Sequence, residues 1–160
     1  MENITRQLEA ARAATRDINQ LDSGKKEMIL QDLADALFSN VGAILTENEK
    51  DVQLVDIDDP KRDRLILNED RIKALAKSVL DVAQLPDPSG QLLSKQVLEN
   101  GLLLEKKAVP LGVVAVIYES RPNVTIDVAA LCLRSGNVCL LRGGTDAFHT
   151  NTVLIEIIQQ

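Results

Sequence analysis

The chain has 160 residues, 45% of them hydrophobic, enough to build the core of one ordinary domain and too many for a disordered tail. Aromatic residues make up 2% and the formal net charge is −6, so the stacking platforms and positive footprint of a nucleic-acid binder are both missing. MENITRQLEAARAATRD carries no basic-then-apolar leader and no apolar run reaches about eighteen residues, so no membrane partner is expected and the protein is read as cytoplasmic.

Ile4, Leu8, Ala11, Ala14, Ile18 and Leu21 recur at spacings of three and four, which predicts an amphipathic helix over residues 2–19. Gly24 breaks the pattern. Ser23 is placed to cap a second helix carrying Met28, Leu30, Leu33, Leu37 and Val41, and a third continues through Ile44, Leu45 and Val52. DIDDPKRDR, residues 56–64, is a charged connection. Asn68 then caps a helix with Glu69 and Asp70 in its first turn, where the dipole favours acids, and with Ile72, Leu75, Ala76, Val79 and Leu80 inward. LPDPSG, residues 85–90, closes a helical region over residues 1–90.

The pattern then changes. QLLSKQVL and LLLEKKAV flank ENG, where Asn100 and Gly101 suit a tight turn with positive φ, so a β-hairpin is predicted over residues 91–109, projecting from the body. Pro110 and Gly112 lead into VVAVI, residues 113–117, a short apolar run that suits a strand buried on both faces. NVTIDVAALCLR, closed by Gly136, reads as a buried crossover helix with a glycine C-cap. NVCLL, residues 137–141, is a second buried strand, and RGGTDA turns the chain into a last helix. The fold class is therefore α/β: N-terminal helices, a β-hairpin arm, and an incomplete parallel βαβ unit of Rossmann type over residues 110–160. Two parallel strands leave open edges, which suggests a piece of a larger design.

Ligands of an open parallel sheet bind beyond the carboxyl ends of its strands, where both unusual loops fall. In RGGTDA, Arg142 is a permanent cation, Gly143 and Gly144 let backbone approach a ligand, Thr145 adds a hydroxyl, and free N–H groups at the next helix start favour an anion such as a nucleotide phosphate. The pattern is neither GxGxxG nor a P-loop, and a βα turn with Thr145 as a helix cap reads equally from these residues. In YESRPN, Arg121 can grip a carboxylate or phosphate, Asn123 can donate to a developing oxyanion, and Glu119 can serve as a base. The structural alternatives are Asn123 as an N-cap, Pro122 stiffening the entry, Asp127 favourable early in the helix, and Glu119 as a solvated carboxylate. Cys132 and Cys139 read as small packed hydrophobes and His149 as a surface residue, so no metal set is expected.

VPLGVVAVIYESRPNVTIDVAALCLRSGNVCLLRGGTDAFHTN, residues 109–151, closely resembles the signature stretch of the gamma-glutamyl phosphate reductases, members of the aldehyde dehydrogenase superfamily. RLILNEDRI at residues 64–72 and NGLLLEKKAVPLGV at residues 100–113 are similar to the same family. The resemblance implies NADPH-dependent reduction of L-glutamyl 5-phosphate to L-glutamate 5-semialdehyde with release of phosphate, in proline biosynthesis. It implies a catalytic cysteine in a second domain that this chain lacks, a cofactor contact through Arg142, Gly143, Gly144 and Thr145, and substrate contacts through Arg121 and Glu119. Asn123 is implied as the oxyanion donor, although aldehyde dehydrogenases carry Pro-Trp-Asn where this chain has Ser-Arg-Pro-Asn. Thr145 stands where an acid often marks an NAD preference, so its neutrality tolerates a 2′-phosphate. The hairpin resembles the family's oligomerisation arm, implying a homo-oligomer through strand pairing. Two readings from other classes compete with a reductase segment: a free-standing nucleotide-binding or regulatory α/β module, and a helical interaction protein working through residues 1–83.

Overall fold

A computed structural model describes the backbone of residues 2–119 and 121–160; Ser120, within the polar run, lies outside the described residues. Helices α1 (Glu2–Ile18), α2 (Ser23–Ser39), α3 (Val41–Gln53), α4 (Arg62–Leu65) and α5 (Glu69–Ala83) come first. Strands β1 (Leu92–Val97) and β2 (Leu103–Lys107) form one sheet; β3 (Val113–Ile117), α6 (Pro122–Arg134), β4 (Val138–Arg142) and α7 (Phe148–Ile158) follow. The α/β class and the parallel β3–α6–β4 order agree with the sequence.

Local chemistry explains the helix ends. Asn68 caps α5 as expected, its side-chain oxygen accepting from the Arg71 N–H at 2.7 Å. The start of α2 differs from expectation: Asp22, in extended backbone, accepts from the Lys25 N–H at 2.8 Å, while Ser23 is already helical. A carboxylate there also meets the positive helix end, which favours Asp22 over a serine hydroxyl. Gly24 sits inside the first turn of α2 and breaks nothing.

The core lies among helices. Leu30 and Leu37 of α2, Ile44 of α3, Ile72 and Val79 of α5, Ile126 of α6 and Leu154 of α7 are fully buried in one cluster, each contributing about 1.5–3 kcal/mol of apolar burial. Of the stripe predicted on α1 only Ala11 is fully buried; Ile4 and Leu8 are exposed. No single described helix is long and apolar enough to cross a membrane.

The hairpin pairs antiparallel, Val97 opposite Leu103 and Leu92 opposite Lys107, with a register shift between Leu92 and Ser94. All residues of both strands are exposed. Its turn differs from expectation in one respect: only Gly101 has positive φ, at 83°. The Gly101 N–H donates to Leu98 O at 2.9 Å and the Leu98 N–H to Leu102 O at 2.8 Å, a three-residue loop closed by one left-handed glycine.

β3 is not buried on both faces. Val113, Ala115 and Ile117 are exposed and only the alternate residues are half-buried, because α1 and α6 pack chiefly over β4 and leave β3 at the outer edge. The join between hairpin and body is tied by buried charge. Lys26 Nζ lies 2.7 Å from Asp87 and 3.2 Å from Ser89 Oγ, and Arg134, also buried, donates to the carbonyls of Leu85 and Ser23. Gly136, at φ 75°, closes α6 beside this cluster as the sequence predicts.

Candidate active site

The two loops leave the same end of the parallel pair. Ile117 is in register with Arg142, and the Tyr118 N–H donates to Arg142 O at 3.1 Å, so they begin side by side. Tyr118 OH lies 2.6 Å from Thr125 Oγ1, which in turn donates to Asn151 Oδ1 at 2.8 Å. A Cβ on Gly143 would stand 2.4 Å from Asn151 Nδ2 and 3.3 Å from the Tyr118 ring, so the glycine is required by packing within the protein. Burial pushes the Tyr118 phenol up, against the opposing hydrogen bond with Thr125. Sequence reading missed Tyr118, Thr125 and Asn151; the signal available was the chain's only tyrosine at the end of a strand.

The second loop departs from expectation at its helix. Thr145 opens a short 3-10 turn, Thr145–Ala147, and caps neither that turn nor α7 through its side chain. Two of the N–H groups at the start of α7 are already occupied: Asp51, buried on α3, accepts from the His149 N–H at 3.0 Å and from the Thr150 N–H at 2.7 Å. The carboxylate takes the place a ligand anion would need at this helix end. Arg142 is exposed, and its guanidinium has no partner among the described residues; Thr145 is exposed too.

In the first loop, Pro122 is the first residue of α6, and the Arg121 N–H donates to Glu119 O at 2.7 Å. Asn123 is therefore inside the first turn and is not the N-cap; its Nδ2 donates to Asp127 Oδ2 at 3.3 Å. Arg121 and Asn123 line a cleft of about 440 Å³ between α6 and the α4–α5 corner, which also presents Arg64, Arg71, Ser78 and Asp127. Glu119, Arg142 and Thr145 are exposed and Gly143 and Gly144 half-buried, and all five lie outside that lining. The structure thus joins Arg121 to Asn123 and sets the Arg142 loop beside them through strand pairing.

Cys132 and Cys139 are neighbours across the α6–β4 contact. A hydrogen bond from the Cys132 thiol lowers Cys139 to about 7, and the same bond raises Cys132 well above the usual thiol range. His149 Nδ1 lies 3.7 Å from Glu47 Oε2 at the surface.

A helical cluster, a projecting antiparallel hairpin and a parallel pair with two loops at its carboxyl ends make up an aldehyde dehydrogenase-like fold. The crystal structure of a probable aldehyde dehydrogenase from Listeria monocytogenes superposes with a TM-score of 0.72 at 16% identity, over 99% of this chain and 33% of that one. More specifically, gamma-glutamyl phosphate reductase from Chlorobium phaeobacteroides is 46% identical over 159 residues, 99% of this chain and 38% of its own length. The crystal structure of gamma-glutamyl phosphate reductase from Thermotoga maritima superposes with a TM-score of 0.91 at 34% identity, over 97% of this chain and 38% of that one. No family model matches. The chain is homologous to the gamma-glutamyl phosphate reductases over nearly all its length, matches their N-terminal segment, and spans about 38% of the length of the curated relatives.

Proposed function

We propose that this chain is the N-terminal segment of an NADPH-dependent reductase that converts L-glutamyl 5-phosphate to L-glutamate 5-semialdehyde with release of phosphate, in proline biosynthesis. The observation that carries the reading is the register of Ile117 with Arg142, which starts the two polar loops side by side, in a chain so similar to reductases of that name. When bound, the nicotinamide cofactor supplies hydride; the nucleophilic cysteine belongs to a domain outside this chain.

On this reading the cofactor is held by side chains and not by a helix end. Asp51 already occupies the start of α7, and the space above Gly143 is filled by Asn151 and Tyr118, so neither is open to a phosphate. The exposed Arg142 guanidinium is free to meet a 2′-phosphate, with neutral Thr145 adding no repulsion and Gly144 extended between them. Arg121 supplies a cation to the substrate. Asn123 keeps one amide hydrogen on Asp127 and has the other for a tetrahedral oxyanion. Glu119, exposed beside them, has a weaker claim to the substrate. The hairpin, exposed throughout, suits strand addition between copies in a homo-oligomer. The cytoplasm is the setting this chemistry takes.

The test is a chimaera in which this chain replaces the matching residues of the Thermotoga maritima reductase. Phosphate-dependent reduction of NADP⁺ with L-glutamate 5-semialdehyde is the expected result. A folded chimaera without that activity overturns the proposal.

A further inference from the structure

The cleft beside Arg121 holds charges that no group among the described residues answers. Its Arg71 is committed: Nη1 donates to the carbonyls of Asp63 at 2.7 Å and Ile66 at 2.6 Å, and Nη2 reaches the Asp63 carboxylate at 3.1 Å. That arginine fixes the α4–α5 corner and presents its neighbour Arg64. The guanidiniums of Arg64 and Arg121 have no hydrogen-bond or ion-pair partner among the described residues, yet both line the same cavity. In the same cavity, Asp127 accepts from two neutral donors, Ser78 Oγ at 3.1 Å and Asn123 Nδ2 at 3.3 Å, and has no ion-pair partner among the described residues. Those bonds link α5 to α6 and hold the carboxylate in place.

Two unanswered cations and one unanswered carboxylate, over a floor containing Ile66, Ala74 and Leu75, make a receptor of mixed sign. A simple anion such as phosphate uses only the two arginines and meets Asp127 as a repulsion. An α-amino acid uses both signs at once, and about 440 Å³ suits a molecule of glutamate size. We infer that this cleft binds the amino-acid end of the substrate, with Asp127 receiving the α-ammonium and Arg64 and Arg121 the α-carboxylate. The inference rests on the reductase reading and deepens it: the amino-acid end enters between α5 and α6, leaving the acyl phosphate to project towards the strand ends.

Nuclear magnetic resonance titration of the 160-residue chain tests it with three probes: L-glutamate, glutarate, which lacks the ammonium, and inorganic phosphate. L-glutamate is expected to shift the amides of Arg64, Ser78 and Asp127 saturably and to bind more tightly than glutarate. Arg64→Ala should weaken L-glutamate roughly tenfold, and Asp127→Asn, which keeps the shape and the Asn123 side of the contact, should abolish the preference over glutarate. Absence of saturable shifts at the cleft, phosphate binding there as well as L-glutamate, or an unchanged preference in Asp127→Asn overturns the inference. A chimaera active in the reductase assay without cleft binding sinks this inference alone; cleft binding with an inactive chimaera sinks the reductase reading.

Discussion

Asp51 of α3 caps α7 from across the core: its Oδ2 accepts from the Thr150 N–H at 2.7 Å and from the Thr150 hydroxyl at 2.6 Å, while Oδ1 accepts from the His149 N–H. Asn48 joins them, donating to Thr150 Oγ1 at 3.1 Å and to Leu65 O at 2.9 Å, and accepting from the Leu67 N–H at 2.8 Å. One buried polar hub therefore sets α7 and the α4–α5 corner in a single frame. Asp51→Ala leaves buried donors unmet and should cost roughly 2–3 kcal/mol, read as a lower urea midpoint. A loss below about 0.5 kcal/mol would show the hub to be dispensable.

Two glycines with positive φ separate strain from crowding. At Gly101 a Cβ meets open space, so Gly101→Ala should cost about 1 kcal/mol through backbone alone. At Gly136 a Cβ would stand 2.9 Å from both Pro110 and Ser89 Oγ, inside the cluster around Lys26, so Gly136→Ala should cost about 2–4 kcal/mol. Equal losses in urea unfolding would argue against the crowding.

Acid should weaken the join between hairpin and body. Burial pushes the Asp87 carboxyl up, but hydrogen bonds from Lys26 and Ser89 and the Lys26 charge outweigh it, and the net direction is down from the ordinary 3.8. The unfolded chain therefore binds the proton more readily, so this contribution is complete above 3.8 and is lost as pH falls through the lower folded value. Urea midpoints measured against pH should drop in that acid range for the parent chain. In Asp87→Asn this component should be missing and neutral-pH stability lower, because Lys26 remains buried without its counter-charge.

Cys139 should react with iodoacetamide in preference to Cys132, with a midpoint near pH 7 set by the hydrogen bond from its neighbour. Cys132→Ala removes that donor and should move the midpoint up towards 9.0. Mass spectrometry of the alkylated chain checks both; a midpoint indifferent to Cys132 would mean that the two sulfurs do not interact.

Arg142→Ala in the chimaera should raise the KM for NADPH roughly tenfold, about 1.4 kcal/mol, and leave NADH unchanged, because only the former carries a 2′-phosphate. Equal effects on both cofactors would remove Arg142 from that contact.

What the sequence by itself determined was local. Asn68 immediately before the acids of α5, glycine at residues 101 and 136, and apolar runs of strand length state backbone preferences that neighbouring residues satisfy, so caps, turns and the strand–helix–strand order were legible. Even there, Asp22 displaced Ser23 as a cap because adjacent residues offered rival oxygens and sequence carries no φ or ψ. Tertiary structure decided which groups remained free for chemistry. Asp51 reaches α7 from 98 residues away and closes a helix end that looked open, Asn151 fills the space that Gly143 seemed to offer a ligand, and Arg64 meets Arg121 and Asp127 in one cleft. Such pairings arise only when packed helices bring distant side chains within hydrogen-bond reach, and no spacing along the chain encodes that distance.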